Sequence, residues 1–120
     1  MINNLLNVLI NILPIIVEKV SWDGDTLIIA GDGWSFSTLS AWRVINRGTI
    51  QFACWDKNIN ESVNELSGLS IVSVAAQGLN IGVDPVFELS DGRLLEVFST
   101  DTVEPWTLRL PDGKVYVGGS

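Results

Sequence analysis

Phe87-Glu-Leu-Ser-Asp-Gly-Arg-Leu-Leu-Glu-Val97 sets an Asp-Gly pair between two runs in which apolar and polar residues alternate. Asp-Gly supplies the positive φ that a tight reversal needs, and alternation is the period of a strand, so the stretch predicts two antiparallel strands joined by a hairpin. With a two-residue turn at Asp91-Gly92, Ser90 stands opposite Arg93. Phe87, Leu89, Leu94, Glu96 and Phe98 then share one face, and Val86, Glu88, Arg93, Leu95 and Val97 share the other, with Glu88 and Arg93 on a diagonal within pairing reach. A turn one residue longer reverses these faces. Both faces are partly apolar, which puts the hairpin between layers.

The same dipeptide recurs at Asp23-Gly24, Asp32-Gly33 and Asp112-Gly113, each time between strand-like runs. Runs rich in β-branched, leucine and aromatic residues occupy 15–22, 26–30, 34–39, 42–46, 49–55, 69–76, 86–90, 93–99, 106–110 and 114–117. Residues 77–85, with Gly78-Leu-Asn-Ile-Gly82, read as a loop; the glycines are too sparse for a phosphate cradle. A short helix is expected near 60–67, capped by Asn60 and stopped by Gly68.

Residues 1–17 carry no charge. They lack the positive n-region and small-residue cleavage site of a signal peptide. Pro14 limits the apolar stretch to a helix over 2–13, too short to cross a hydrocarbon layer about 30 Å thick. Asn3, Asn7 and Asn11 recur every fourth residue and form one polar wedge on an otherwise apolar helix, which is expected to dock on the sheet. The reading is one domain over 1–120, mainly β in the α+β sense: antiparallel sheets of about eight or nine short strands with one N-terminal helix packed on them.

With 47% hydrophobic and 18% charged residues the chain is a packed domain rather than a disordered one. Seven Lys and Arg against fourteen Asp and Glu give a net charge of −7, a field that repels phosphate backbones and attracts basic partners, so nucleic acid is not an expected ligand. Cys54 is the single cysteine and there is no histidine; no internal disulfide can form, a zinc site has no usual ligand set, and no cofactor is implied. These features fit a cytoplasmic protein without a membrane span.

Glu88 and Glu96 are the obvious paired carboxylates for acid-base work, but the two-residue turn puts them on opposite faces, and solvated or ion-paired sheet residues are the simpler reading. Counted from Asp23, a calcium loop would need glutamate at its twelfth position, where Trp34 stands, so these acids are read as turn formers. Cys54 reads as a small buried hydrophobe with no base beside it. Trp34, Trp42 and Trp106 lie in phase with apolar neighbours and read as core. Trp22 and Trp55, at strand ends beside Asp23 and Asp56, are candidates for exposed anchors. Asp84, Glu88, Asp91, Glu96, Asp101 and Glu104 crowd one segment that contains Arg93 as its one cation, which makes either a solvated surface or a patch steering a cationic partner.

Leu66-Ser-Gly68, Phe87-Glu-Leu-Ser-Asp-Gly-Arg-Leu-Leu-Glu-Val97 and Glu104-Pro-Trp-Thr-Leu-Arg-Leu-Pro-Asp-Gly113 resemble small bacterial domains of polymorphic toxin systems, in particular the immunity proteins of contact-dependent growth inhibition. The resemblance covers the last half of the chain and rests mostly on turn and core residues. It implies a protein without catalytic residues that binds and stoichiometrically neutralises a cognate basic toxin domain, a nuclease and in the first instance an RNase, in the bacterial cytoplasm. The acidic group, with Trp22 or Trp55 as anchor, is the expected contact surface. A small-ligand or carbohydrate-binding β module, using one sheet face and its tryptophans, is the alternative.

Overall fold

The computed structural model describes residues 9, 11–78, 81–100 and 105–117. Two antiparallel sheets face each other. Their strands are β1 (Ile15–Ile16), β2 (Lys19–Trp22), β3 (Leu27–Gly31), β4 (Trp34–Thr38), β5 (Ala41–Asn46), β6 (Thr49–Ala53), β7 (Ser70–Gly78), β8 (Ile81–Leu89), β9 (Leu94–Phe98), β10 (Thr107–Arg109) and β11 (Val115–Val117), with one short helix, α1 (Asn60–Asn64), between β6 and β7. Six strands pair in the order β1-β7-β8-β9-β5-β6 and five in the order β11-β10-β4-β3-β2. The mainly β expectation holds, but the described residues form eleven strands where about eight or nine were expected.

One run adds a strand and another lengthens two. The stretch 15–22 divides: β1 pairs with β7 in the first sheet, whereas β2 pairs with β3 in the second. Between them the Val17 amide donates to the Leu69 carbonyl and the Glu18 amide to the Ala30 carbonyl, each at 2.8 Å, so the chain crosses from one sheet to the other without losing its hydrogen bonds. The stretch 77–85 is strand rather than loop, because β7 and β8 keep pairing out to Gly78 and Ile81. Of the helix expected over 2–13, residues 2–8 and 10 lie outside the described residues. Residues 11–13, the described end of that stretch, form a turn and not a helix, so the expected helix is not matched there; Leu9 is buried and accepts hydrogen bonds from the amides of Ile12 and Leu13, which pack against the core.

The β8–β9 register corrects the hairpin reading. Val86 faces Glu96, Phe87 faces Leu95 and Glu88 faces Leu94, and the Leu89 amide donates to the Arg93 carbonyl at 2.8 Å. The loop is therefore Ser90-Asp91-Gly92, with Gly92 at φ 91° and the Asp91 carboxylate accepting from the Arg93 amide. Such a loop, ending in a left-handed glycine, is the common three-residue hairpin. The extra residue turns Phe87, Leu89, Leu95 and Val97 inward and leaves Val86, Glu88, Leu94, Glu96 and Phe98 outside. Pro111-Asp112-Gly113 repeats the arrangement between β10 and β11. The two-residue turns are Asp32-Gly33, as expected, and Arg47-Gly48, where both residues have positive φ.

The core lies between the sheets. Leu27, Ile29, Trp34, Phe36 and Leu108 project from the five-stranded side, and Trp42, Val44, Phe87, Leu95 and Val97 from the six-stranded side. Phe36 meets Phe87 edge to face at 4.9 Å, and Trp22 meets Trp42 at 5.2 Å, both pairs spanning the two sheets. Trp34, Trp42 and Trp106 are core residues as expected. Cys54 lies just past β6 in a turn, half-buried against the core, its amide bonded to the Trp42 carbonyl. Asn60 opens α1 rather than capping it; Ile59 holds the cap position, and Gly68, at φ 93°, follows the helical turn and donates to the Val17 carbonyl.

Candidate functional site

Antiparallel register turns the outer face of the six-stranded sheet into rows. One runs Ser73, Glu88, Leu94, Ile45 across β7, β8, β9 and β5; the next runs Ala75, Val86, Glu96, Arg43. Asp84 continues the Glu88–Val86 alternation on β8. Three of the six candidate acids, Asp84, Glu88 and Glu96, thus share one face. Asp91 sits at the β8–β9 tip, and Asp101 and Glu104 lie outside the described residues.

The partners of these acids decide how much charge the face presents. Asp84 accepts from the Ser99 amide at 2.8 Å and Glu88 from the Ser73 hydroxyl at 2.8 Å; both donors are neutral and leave the carboxylate charge uncompensated. Glu96 is bonded to Nε of Arg43 at 2.6 Å, and the same guanidinium lies 4.8 Å from the centre of the Phe98 ring. Asp91 binds Arg93 at 2.8 Å. Arg93 does not pair with Glu88 as the diagonal suggested: it belongs to the inner parity of the hairpin, is buried, and also reaches Gln51 and Glu65 at 3.4 Å. Among the described residues, the net negative charge of the face resides in Asp84 and Glu88.

With the register corrected, Glu88 and Glu96 stand on the same face rather than opposite ones. They still lean apart, Glu88 toward β7 and Glu96 toward β5, each onto its own partner. Among the described residues no group of three His, Cys, Asp or Glu side chains could hold a metal ion. In the Asp23-Gly24 turn, hydrogen bonds from the amides of Thr26 and Asp25 hold the Asp23 carboxyl below the ordinary carboxylate range, a turn-closing role. No helix among the described residues is long and apolar enough to cross a membrane.

The two anchor candidates separate clearly. Trp55 is 62% exposed, two residues beyond Ala53 on β6, the strand that carries the Ala75–Val86–Glu96–Arg43 row to the sheet edge. Trp22 belongs to the other sheet and is half-buried with its ring against Trp42. An exposed indole at the rim of an acidic face has the chemistry of an interface anchor; a ring half-buried against Trp42 offers a protein partner less surface.

The opposite face was not singled out by sequence spacing. Across the five-stranded sheet the outward rows read Val115, Arg109, Ser35, Ala30, Lys19 and Val117, Thr107, Ser37, Ile28, Ser21. Neither row holds a carboxylate. The described carboxylates of this sheet, Glu18, Asp23, Asp25, Asp32 and Asp112, lie in its turns and flanks instead, an arrangement that appears once five strands from two parts of the chain are laid in register.

Replacing Arg43 by alanine is expected to cost roughly 1–2 kcal/mol, from the ion pair and the ring contact together. Urea denaturation of R43A, E96Q and the double variant measures the coupling; purely additive losses would mean that the pair contributes nothing.

No family model, curated protein or solved structure matches this chain.

Proposed function

We propose that the protein is an immunity protein: it binds a cognate cytotoxic nuclease, an RNase in the first instance, and neutralises it stoichiometrically in the bacterial cytoplasm without catalysing a reaction. The observation that carries this reading is the pair Asp84 and Glu88, uncompensated on one sheet face, with Trp55 exposed at its edge, whereas the described outward rows of the other sheet hold no acid. A nuclease must present a basic cleft to its substrate. A flat acidic surface with an aromatic anchor can occupy such a cleft, and complementary charge speeds the encounter. Asp91 and Glu96, each paired to an arginine, supply shape more than charge. Asp101 and Glu104 belong to the same proposal from sequence.

The test is capture of the toxin domain encoded by the neighbouring gene, with nuclease activity as readout. Asp84→Lys with Glu88→Lys is expected to slow association at least tenfold and to flatten its dependence on ionic strength. Trp55→Ala is expected to raise the dissociation rate tenfold or more, an anchor being worth about 2 kcal/mol, while leaving the melting temperature unchanged. Wild-type affinity in both variants would remove this surface from the interaction.

A further inference from the structure

Beside the five-stranded sheet, α1 lies along the free edge of β2, and the two enclose an open cleft of about 300 Å³. Its apolar part is Val20, Val63 and the half-buried Trp22; its polar part is Lys19 and Ser21 from β2 and Asn60 and Asn64 from α1. The four-residue spacing sets both amides on one side of the helix, and the two-residue spacing sets Lys19 and Ser21 on one side of the strand. Among the described residues, no hydrogen bond or ion pair engages any of these four side chains. The acids of the six-stranded sheet are the reverse case, each bonded within the fold.

The lining chooses the ligand class. Three of the four polar groups, two amides and a hydroxyl, can each donate and accept a hydrogen bond, as every sugar hydroxyl does. No carboxylate lines the cleft in a chain with fourteen acids, so nothing there would hold a cation. One lysine, in a protein of net charge −7, is a weak basis for an anion. Val20 and Val63 are buried, so the apolar surface offered to the C–H face of a pyranose is the accessible part of the half-buried Trp22. We propose that this cleft binds a neutral saccharide unit, with Asn60, Asn64 and Ser21 bonding its hydroxyls and Trp22 packing on its apolar face. The proposal is independent of toxin binding, whose surface lies on the other sheet.

The experiment titrates the full-length protein with N-acetylglucosamine, glucose, galactose, chitobiose and cellobiose, and with glucuronate as the charged member, following tryptophan fluorescence and amide chemical shifts. At least one neutral sugar is expected to saturate with a dissociation constant on the order of 1 mM, as befits a shallow site, and with no dependence on salt. Asn60→Ala with Asn64→Ala is expected to weaken that binding about tenfold or more. Both side chains are exposed, and a second variant, Lys19→Ala on the strand, checks the site without touching the helix. Three outcomes would overturn the proposal: no saturation by any neutral sugar, saturation that all variants leave unchanged, or a response confined to glucuronate and lost in salt.

Discussion

Phe36→Ala is expected to destabilise the protein by about 3–5 kcal/mol, the largest loss for any single truncation on the five-stranded side. Phe36 occupies the middle of β4, between Ile29 of β3 and Leu108 of β10, and its ring crosses the core. There it meets Phe87 of the opposite sheet at 4.9 Å and lies 5.8 Å from Trp106. All three rings are essentially buried. Removing the middle one creates a cavity that two stiff sheets cannot close, so the lost transfer energy and the cavity cost add. Chemical denaturation reads the loss directly. A change under about 1 kcal/mol would mean that the sheets are not packed through this residue.

Gly31→Ala is expected to cost about 2–3 kcal/mol although its φ is unexceptional. A Cβ at this position would stand inside 3.0 Å of both the Trp34 indole nitrogen and the Ile16 carbonyl oxygen. Ile16 ends β1, just before the chain crosses between sheets, and the Glu18–Ala30 hydrogen bond pins the crossing in place. The side chain must therefore push either a buried tryptophan or a backbone held from both ends. At Gly24 an added Cβ meets nothing within 4 Å, and the cost there is confined to its positive φ. Thermal melts of the two alanine variants should rank G31A well below G24A. Equal melting temperatures would contradict the close approach at Ile16.

Turn positions were legible from composition, because glycine after a polar residue marks a reversal, yet the number of residues in each turn was not. Asp-Gly closes a two-residue turn at Asp32-Gly33, forms the end of a three-residue loop at Asp91-Gly92 and Asp112-Gly113, and lies in a four-residue loop at Asp23-Gly24. In the three longer loops the Asp carboxylate accepts from an amide two residues on, a bond that favours the additional residue. One residue of difference exchanges the faces of one flanking strand relative to the other. That is why Glu88 and Glu96 were separated in sequence and stand together in the fold.

The rest of the site depended on long-range pairing. Strand ends alone could not tell Trp22 from Trp55. Trp22 turns in because β2 leaves the sheet of β1 and joins β3, whereas Trp55 follows an edge strand into solvent. Crowding of acids between Asp84 and Glu104 was visible as composition. Their arrangement as two carboxylates bonded to neutral donors, two arginine-paired ones and two outside the described residues follows from which neighbouring group each side chain meets.

The most direct test of the central claim is titration of the neighbouring gene's nuclease with this protein at several salt concentrations, with residual activity and association rate both recorded. The account predicts complete inhibition at one equivalent and an association rate that falls steeply as salt rises. A nuclease that stays active in excess protein, or is inhibited at a rate indifferent to salt, would contradict it.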